Sequence, residues 1–136
     1  MFRGKRVDSG KWVHGCLGMN TDGNHYIGLV EPRYIDDGAK VIDTWEVISK
    51  TIGQCTGLTT FSDILIYEGD VLQYKDVTGR VAWVSGCWAI VCSKYVYTRM
   101  NMELLPNTFS LKDGWYLVGN VHDNPELIKG EQNDES

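Results

Sequence analysis

Proline is scarce in this chain, with 3 among 136 residues, and so are helix signals. No run of about 18 apolar residues occurs, so no transmembrane helix is expected. The N-terminus, MFRGKRVDSG, carries positive charge with no apolar stretch after it. That excludes a secretory signal and places the chain, as an expectation, in the cytosol. None of the four cysteines, Cys16, Cys55, Cys87 and Cys92, forms a CxxC pair. Cys87 and Cys92 are an odd number of residues apart inside CWAIVC, so on a strand their thiols point to opposite faces. Four reduced, mostly buried thiols are therefore expected. His14, His25 and His122 are scattered, without HxH or HExxH spacing, which leaves no support for a zinc site. GxSxG, GxxxxGK and a GxGxxG after a strand are all missing, so no cofactor is expected.

Charge is unevenly spread over a net of −5. Residues 1–15 hold Arg3, Lys5, Arg6 and Lys11 against Asp8, a balance of +3. Residues 123–136 hold five carboxylates against Lys129, a balance of −4. The acidic total argues against non-specific nucleic-acid binding, which Lys and Arg drive by neutralising phosphates. A basic N-terminal patch remains.

What is present is glycine, 15 residues of it, and aromatics, with five Trp and seven Tyr. Turn signals recur at Asp8-Ser9-Gly10, Thr21-Asp22-Gly23-Asn24, Asp36-Asp37-Gly38, Ser85-Gly86 and Asp113-Gly114. Short segments rich in Val, Ile, Trp and Tyr lie between them, the pattern of antiparallel hairpins. Strands are expected near 11–17, 25–31, 40–48, 69–75, 79–85, 87–93 and 115–121. The 87–93 strand is apolar on both faces and should be central. Asn124-Pro125, closed by Gly130, marks one short helical turn. A weaker helical candidate is RMNMELLP, ended by Pro106. The tail, residues 131–136, reads as disordered and acidic.

Three stretches invite a chemical reading. Glu68-Gly69-Asp70 offers two carboxylates two residues apart, but Gly69 breaks any strand there. Gly69 suits a positive φ and Asp70 suits a turn that starts the next strand, so the triplet reads as a corner. His122 beside Asp123 has the form of a base and its orienting acid. With Glu68 they would make a small hydrolase, an alternative weighed below a solvated strand end. Cys55, bracketed by glycines in IGQCTGL, has no local His or helix N-terminus to activate it, and reads as a glycine-bent strand or turn. SKYVYTRM alternates Tyr95 and Tyr97 on one face with Lys94 and Arg99 close by. Together with Arg3, Lys5 and Arg6 these residues form the alternative reading, a nucleic-acid-binding small barrel that stacks bases on tyrosines.

Taken in order, FRGKRVDSGKWVHG at 2–15, TIGQCTGL at 51–58, IYEGDVL at 66–72, GRVAW at 79–83 and VGNVHDNPELI at 118–128 resemble the YopX family of phage and prophage proteins. Two departures stand out. Cys55 replaces a usual aromatic, and TTFSDILI replaces a usual Lys-Asp-x-Asn-Gly hairpin turn. A hairpin with Ser62-Asp63 at its tip is still expected, since Asp tolerates the left-handed region. The resemblance implies one mainly β domain over 1–130. Its N-terminal β part covers about 1–50, and about 51–125 form a small Src-homology-3-like barrel. It implies a gene on a phage, prophage or mobile element. It implies no catalytic residues, hence a non-enzymatic interaction module that binds a protein partner or itself, without a membrane.

Overall fold

A computed structural model describes residues 1–29, 33–92, 96–98 and 114–128. These are mainly antiparallel strands, with 3-10 turns at Ser49–Thr51 and Pro125–Ile128. Among the described residues no helix is long and apolar enough to cross a membrane. The chain divides into two compact units, Met1–Gln54 and Cys55–Ser136.

The first unit holds β1 (Phe2–Lys5), β2 (Trp12–Met19), β3 (His25–Gly28), β4 (Arg33–Tyr34), β5 (Lys40–Val41) and β6 (Thr44–Val47). Strand order is β6-β3-β2-β1, and β4 with β5 makes a separate two-stranded hairpin. Period-2 alternation sorts the residues. Val13, Ile27 and Val47 form the buried core, with Phe2, Leu17, Trp45 and Ile52 packed around them. The outer side of β6 is not left bare. Ile48 N–H donates to the Lys5 carbonyl (2.8 Å), Val7 N–H donates to Glu46 (2.9 Å), and Arg6 bridges to Val47. The buried Thr51 hydroxyl accepts from Lys5 N–H at 2.9 Å and donates to the Ile48 carbonyl, which pins the 3-10 turn.

β7 (Gly53–Thr59) begins opposite Arg3 of β1 and ends in the second unit opposite β8 (Leu65–Tyr67). Its register slips between Cys55 and Thr59, where Gly57 has φ +77°. The glycine-bent strand expected around Cys55 is what forms. Then come β9 (Asp70–Tyr74), β10 (Val77–Val84), β11 (Cys87–Val91), β12 (Val96–Thr98) and β13 (Tyr116–Asn120), in the order β12-β11-β10-β9-β13. The core is Ile66, Leu72, Val81, Ile90, Cys92 and Trp115, with Trp115 stacked on Tyr74 at 5.5 Å. Each fully buried Val, Leu or Ile contributes about 1.5–3 kcal/mol. Gly79 lets β10 and β11 close on that core: a Cβ there would sit 2.5 Å from Ile90 Cγ2 and 2.7 Å from Cys92 Sγ.

Several expectations need correction. The barrel expected over 51–125 is not seen closed among the described residues: the outer strands of the five-stranded sheet, β12 and β13, are not paired with each other. The strand expected at 40–48 is two pieces, Lys40–Val41 in the hairpin and Thr44–Val47 in the sheet. Between them the Asp43 carbonyl turns to accept from Leu29 N–H. The thiols are not mostly buried: Cys92 is, Cys55 and Cys87 are half-buried, and Cys16 is exposed. The turn at Pro125 forms with the Asn124 carbonyl accepting from Leu127 N–H (3.1 Å), while Asn124 Oδ1 accepts from Asn120 N–H (3.3 Å). The 99–106 candidate and the 131–136 tail lie outside the described residues.

Candidate functional site

The Glu68-Gly69-Asp70 triplet is a corner. Gly69 has φ +91°, and the Asp70 side chain is 2% exposed. Asp70 Oδ2 accepts from Tyr67 N–H at 2.8 Å, so the carboxylate holds the turn between β8 and β9. Gly69 N–H donates to Val81, and its carbonyl accepts from Val121 N–H at 2.8 Å. Those bonds bring the corner beside the 120–124 turn, with Asn120 opposite Asp70. Asn120 Oδ1 accepts from the N–H groups of His122 (3.0 Å) and Asp123 (2.9 Å). The Asp123 carboxylate in turn accepts from Asn120 Nδ2 at 3.0 Å. The segments carrying Glu68, His122 and Asp123 are thus neighbours. The described bonds of Asp70 and Asp123 fasten turns, and no group of three or more His, Cys, Asp or Glu among the described residues could hold a metal.

The basic N-terminal residues are built into the sheet. Arg3 is only 8% exposed, and its guanidinium lies over Trp12 at 4.6 Å. Lys5, two residues on and so on the same face, reaches the same ring at 5.6 Å. Arg6 lies over Trp45 at 5.1 Å and grips Asp8 through both carboxylate oxygens, at 2.9 and 2.7 Å. That bond holds the exposed Asp8 carboxyl below its ordinary range and raises Arg6. Of the other residues of the nucleic-acid reading, Tyr97 stands in β12 opposite Ile90, while Lys94, Tyr95 and Arg99 lie outside the described residues.

Two surfaces were not read as such from the sequence. The first is the tip of the β10–β11 hairpin. Val81 and Trp83 share a face of β10, as alternation indicates, but the core ends at Val81. Trp83 is 57% exposed and meets Trp88 edge-to-face, ring centroids 5.0 Å apart. The Ser85-Gly86 turn beyond it has positive φ at both residues. The available signal was position: Trp83 falls two residues before that turn.

The second surface is a groove of about 350 Å³ on the first unit. Cys16, Gly18, Tyr26, Leu29, Ile42 and Thr44 line it. Cys16, Gly18, Tyr26 and Thr44 belong to the sheet face opposite the core, and Gly18 and Gly28 leave its floor low.

Two antiparallel β units, with a turn-bonded acidic corner and exposed aromatic and apolar surface, define a small mainly β protein. The chain belongs to the YopX family: the family model described as YopX protein matches residues 2–129. The chain is also similar in fold to the crystal structure of protein EF1440 from Enterococcus faecalis. The TM-score is 0.54 at 16% identity, over 94% of this chain and 96% of that one. No curated protein matches the sequence.

Proposed function

We propose that the chain is a non-enzymatic interaction module, encoded by a phage or prophage, that docks on another protein in the host cytoplasm. The observation that carries this is Trp83. A tryptophan held in place by Trp88 yet more than half exposed is the kind of rigid aromatic anchor that dominates protein interfaces. The meander β9-β10-β11-β12, with β13 returning to β9, supports reading the later unit as an opened Src-homology-3-like barrel that presents this hairpin. The nearby carboxylates support the same reading, since Asp70 and Asp123 are engaged in turn geometry.

The test is affinity capture from phage-infected host cells with the wild-type chain and Trp83→Ser as baits. One protein should be captured in stoichiometric amount by the wild type and lost with Trp83→Ser, while both baits melt as folded proteins. Equal capture by both baits would remove Trp83 from the interface. Recovery of nucleic acid that washes away with salt would favour the basic-residue reading instead.

A further inference from the structure

The phase of hydrogen bonding along β10 sets which way the Trp83 backbone points. Val84 and Cys87 stand opposite each other and flank the Ser85-Gly86 turn, which has positive φ at both residues. A two-residue turn of that kind is closed by a pair that exchanges both N–H···O bonds. The hydrogen-bonded partners of β11 are therefore every second residue of β10, namely Val84, Ala82 and Arg80. Trp83 with Trp88 is a non-hydrogen-bonded pair, in which side chains stand closer, and their rings meet at 5.0 Å. The N–H and C=O of Trp83 thus point away from β11, to the side on which β9 lies.

β9 does not reach that far. Its register with β10 ends at Arg80 opposite Val71, and one step on Gly69 N–H donates to the Val81 carbonyl at 2.9 Å. That bond agrees with the phase, since Val81 also turns its backbone toward β9. Gly69 is the positive-φ corner, where the chain passes from β8 in one sheet to β9 in the other, and Tyr67 N–H is taken by the Asp70 carboxylate. Trp83 lies two residues, about 7 Å, past the Val81 bond. Among the described residues no strand runs beside it on this side. The end of β10 is therefore a short piece of sheet edge, with a backbone donor and acceptor next to a rigid exposed indole.

We infer that the partner docks as an extended peptide segment added to this edge, its backbone bonded to the N–H and C=O of Trp83 and an apolar side chain packed on the Trp83 ring. A donor and an acceptor spaced on a sheet edge are complementary to another extended backbone. The residue of the added segment opposite Trp83 points to the same face, so the indole selects an apolar side chain there. The open stretch runs only from Val81 to Val84, so the added segment is a few residues long. This inference rests on reading Trp83 as the docking residue, and it adds the class of partner and the mode of contact.

The test is selection of a displayed random octapeptide library on the full wild-type chain, followed by an N-methyl scan of a selected peptide. Selected peptides should alternate apolar residues, and should bind the wild type and not Trp83→Ser. Methylating the peptide amide that faces the Trp83 carbonyl should weaken binding at least about tenfold. Methylating the next amide along, which faces away from β10, should leave binding nearly unchanged. Hydrogen exchange at the Trp83 amide should slow in the complex. Selection of no peptide, equal tolerance of N-methylation at both amides, or unchanged exchange at the Trp83 amide would each overturn the inference. In any of those cases, Trp83-dependent capture of a host protein would leave the docking role of Trp83 standing. Peptides of the expected pattern without a captured host protein would support the edge and remove only the host partner.

Discussion

Asp70 is a buried acid whose described bond is to the Tyr67 amide three residues back. Removing the carboxylate leaves that donor without its acceptor, so Asp70→Ala should cost about 1–3 kcal/mol. Asp70→Asn keeps an acceptor oxygen and suits a turn, so it should cost less. Thermal melts of the two variants check the order, and an unchanged melting temperature for Asp70→Ala would argue against the corner. Asp8 gives a second residue-scale expectation. The Arg6 hydrogen bond lowers its folded pKa, so the small stabilisation it provides is present at neutral pH and fades as pH falls through the folded value. An NMR titration should find the Asp8 carboxyl below its ordinary range, and Arg6→Gln should move it back up. At this scale the corner was legible, because Glu-Gly-Asp is turn chemistry written locally. The exposure of Trp83 was not, because alternation assigns a face but does not say where along the strand the core ends. Nor was the exposure of Cys16, which follows from a groove floored by glycines of two strands.

At the scale of elements, the hairpin between β7 and β8 keeps its shape without glycine at the tip. Asp63 takes φ +61°, with its N–H donating to Thr60 at 3.0 Å, and Thr60 N–H donates to Ile64 at 3.0 Å. The buried Thr60 hydroxyl accepts from Ser62 and Ile64. A β-branched residue at that φ is strained, so Asp63→Val should lower stability by about 1–2 kcal/mol, while Asp63→Gly should hold or raise it. Denaturant melts distinguish the two. This turn was readable from Ser62-Asp63, as was the 3-10 turn at Pro125. The strand β1 was not, because Phe-Arg-Gly-Lys lacks an apolar alternation. Its outer face is made by Arg3 and Lys5 lying on Trp12, a pairing visible only once β1 and β2 are in register. The split of 40–48 was likewise hidden, since the chain turns where Asp43 serves Leu29 and Arg33 rather than a strand neighbour.

At the scale of the molecule, the chain is acidic overall yet basic at its start, and three of those early cations, Arg3, Lys5 and Arg6, lie on Trp12, Trp45 and Asp8. A surface that works through Trp83 gains its affinity from apolar burial, which salt does not weaken, whereas a phosphate-binding surface releases counterions and loses affinity steeply. The mainly β class was legible from turn spacing and β-rich segments. A closed barrel was not reached by the described strands: β13 returns to pair with β9, a partner far back in the sequence, and is not paired with β12. The most direct measurement is the salt dependence of the complex between the wild-type chain and its captured host protein. The expected result is an affinity that changes by less than about tenfold between about 50 and 200 mM salt and is abolished by Trp83→Ser. A loss of about a thousandfold or more over that range, with Trp83→Ser binding as well as wild type, would contradict it.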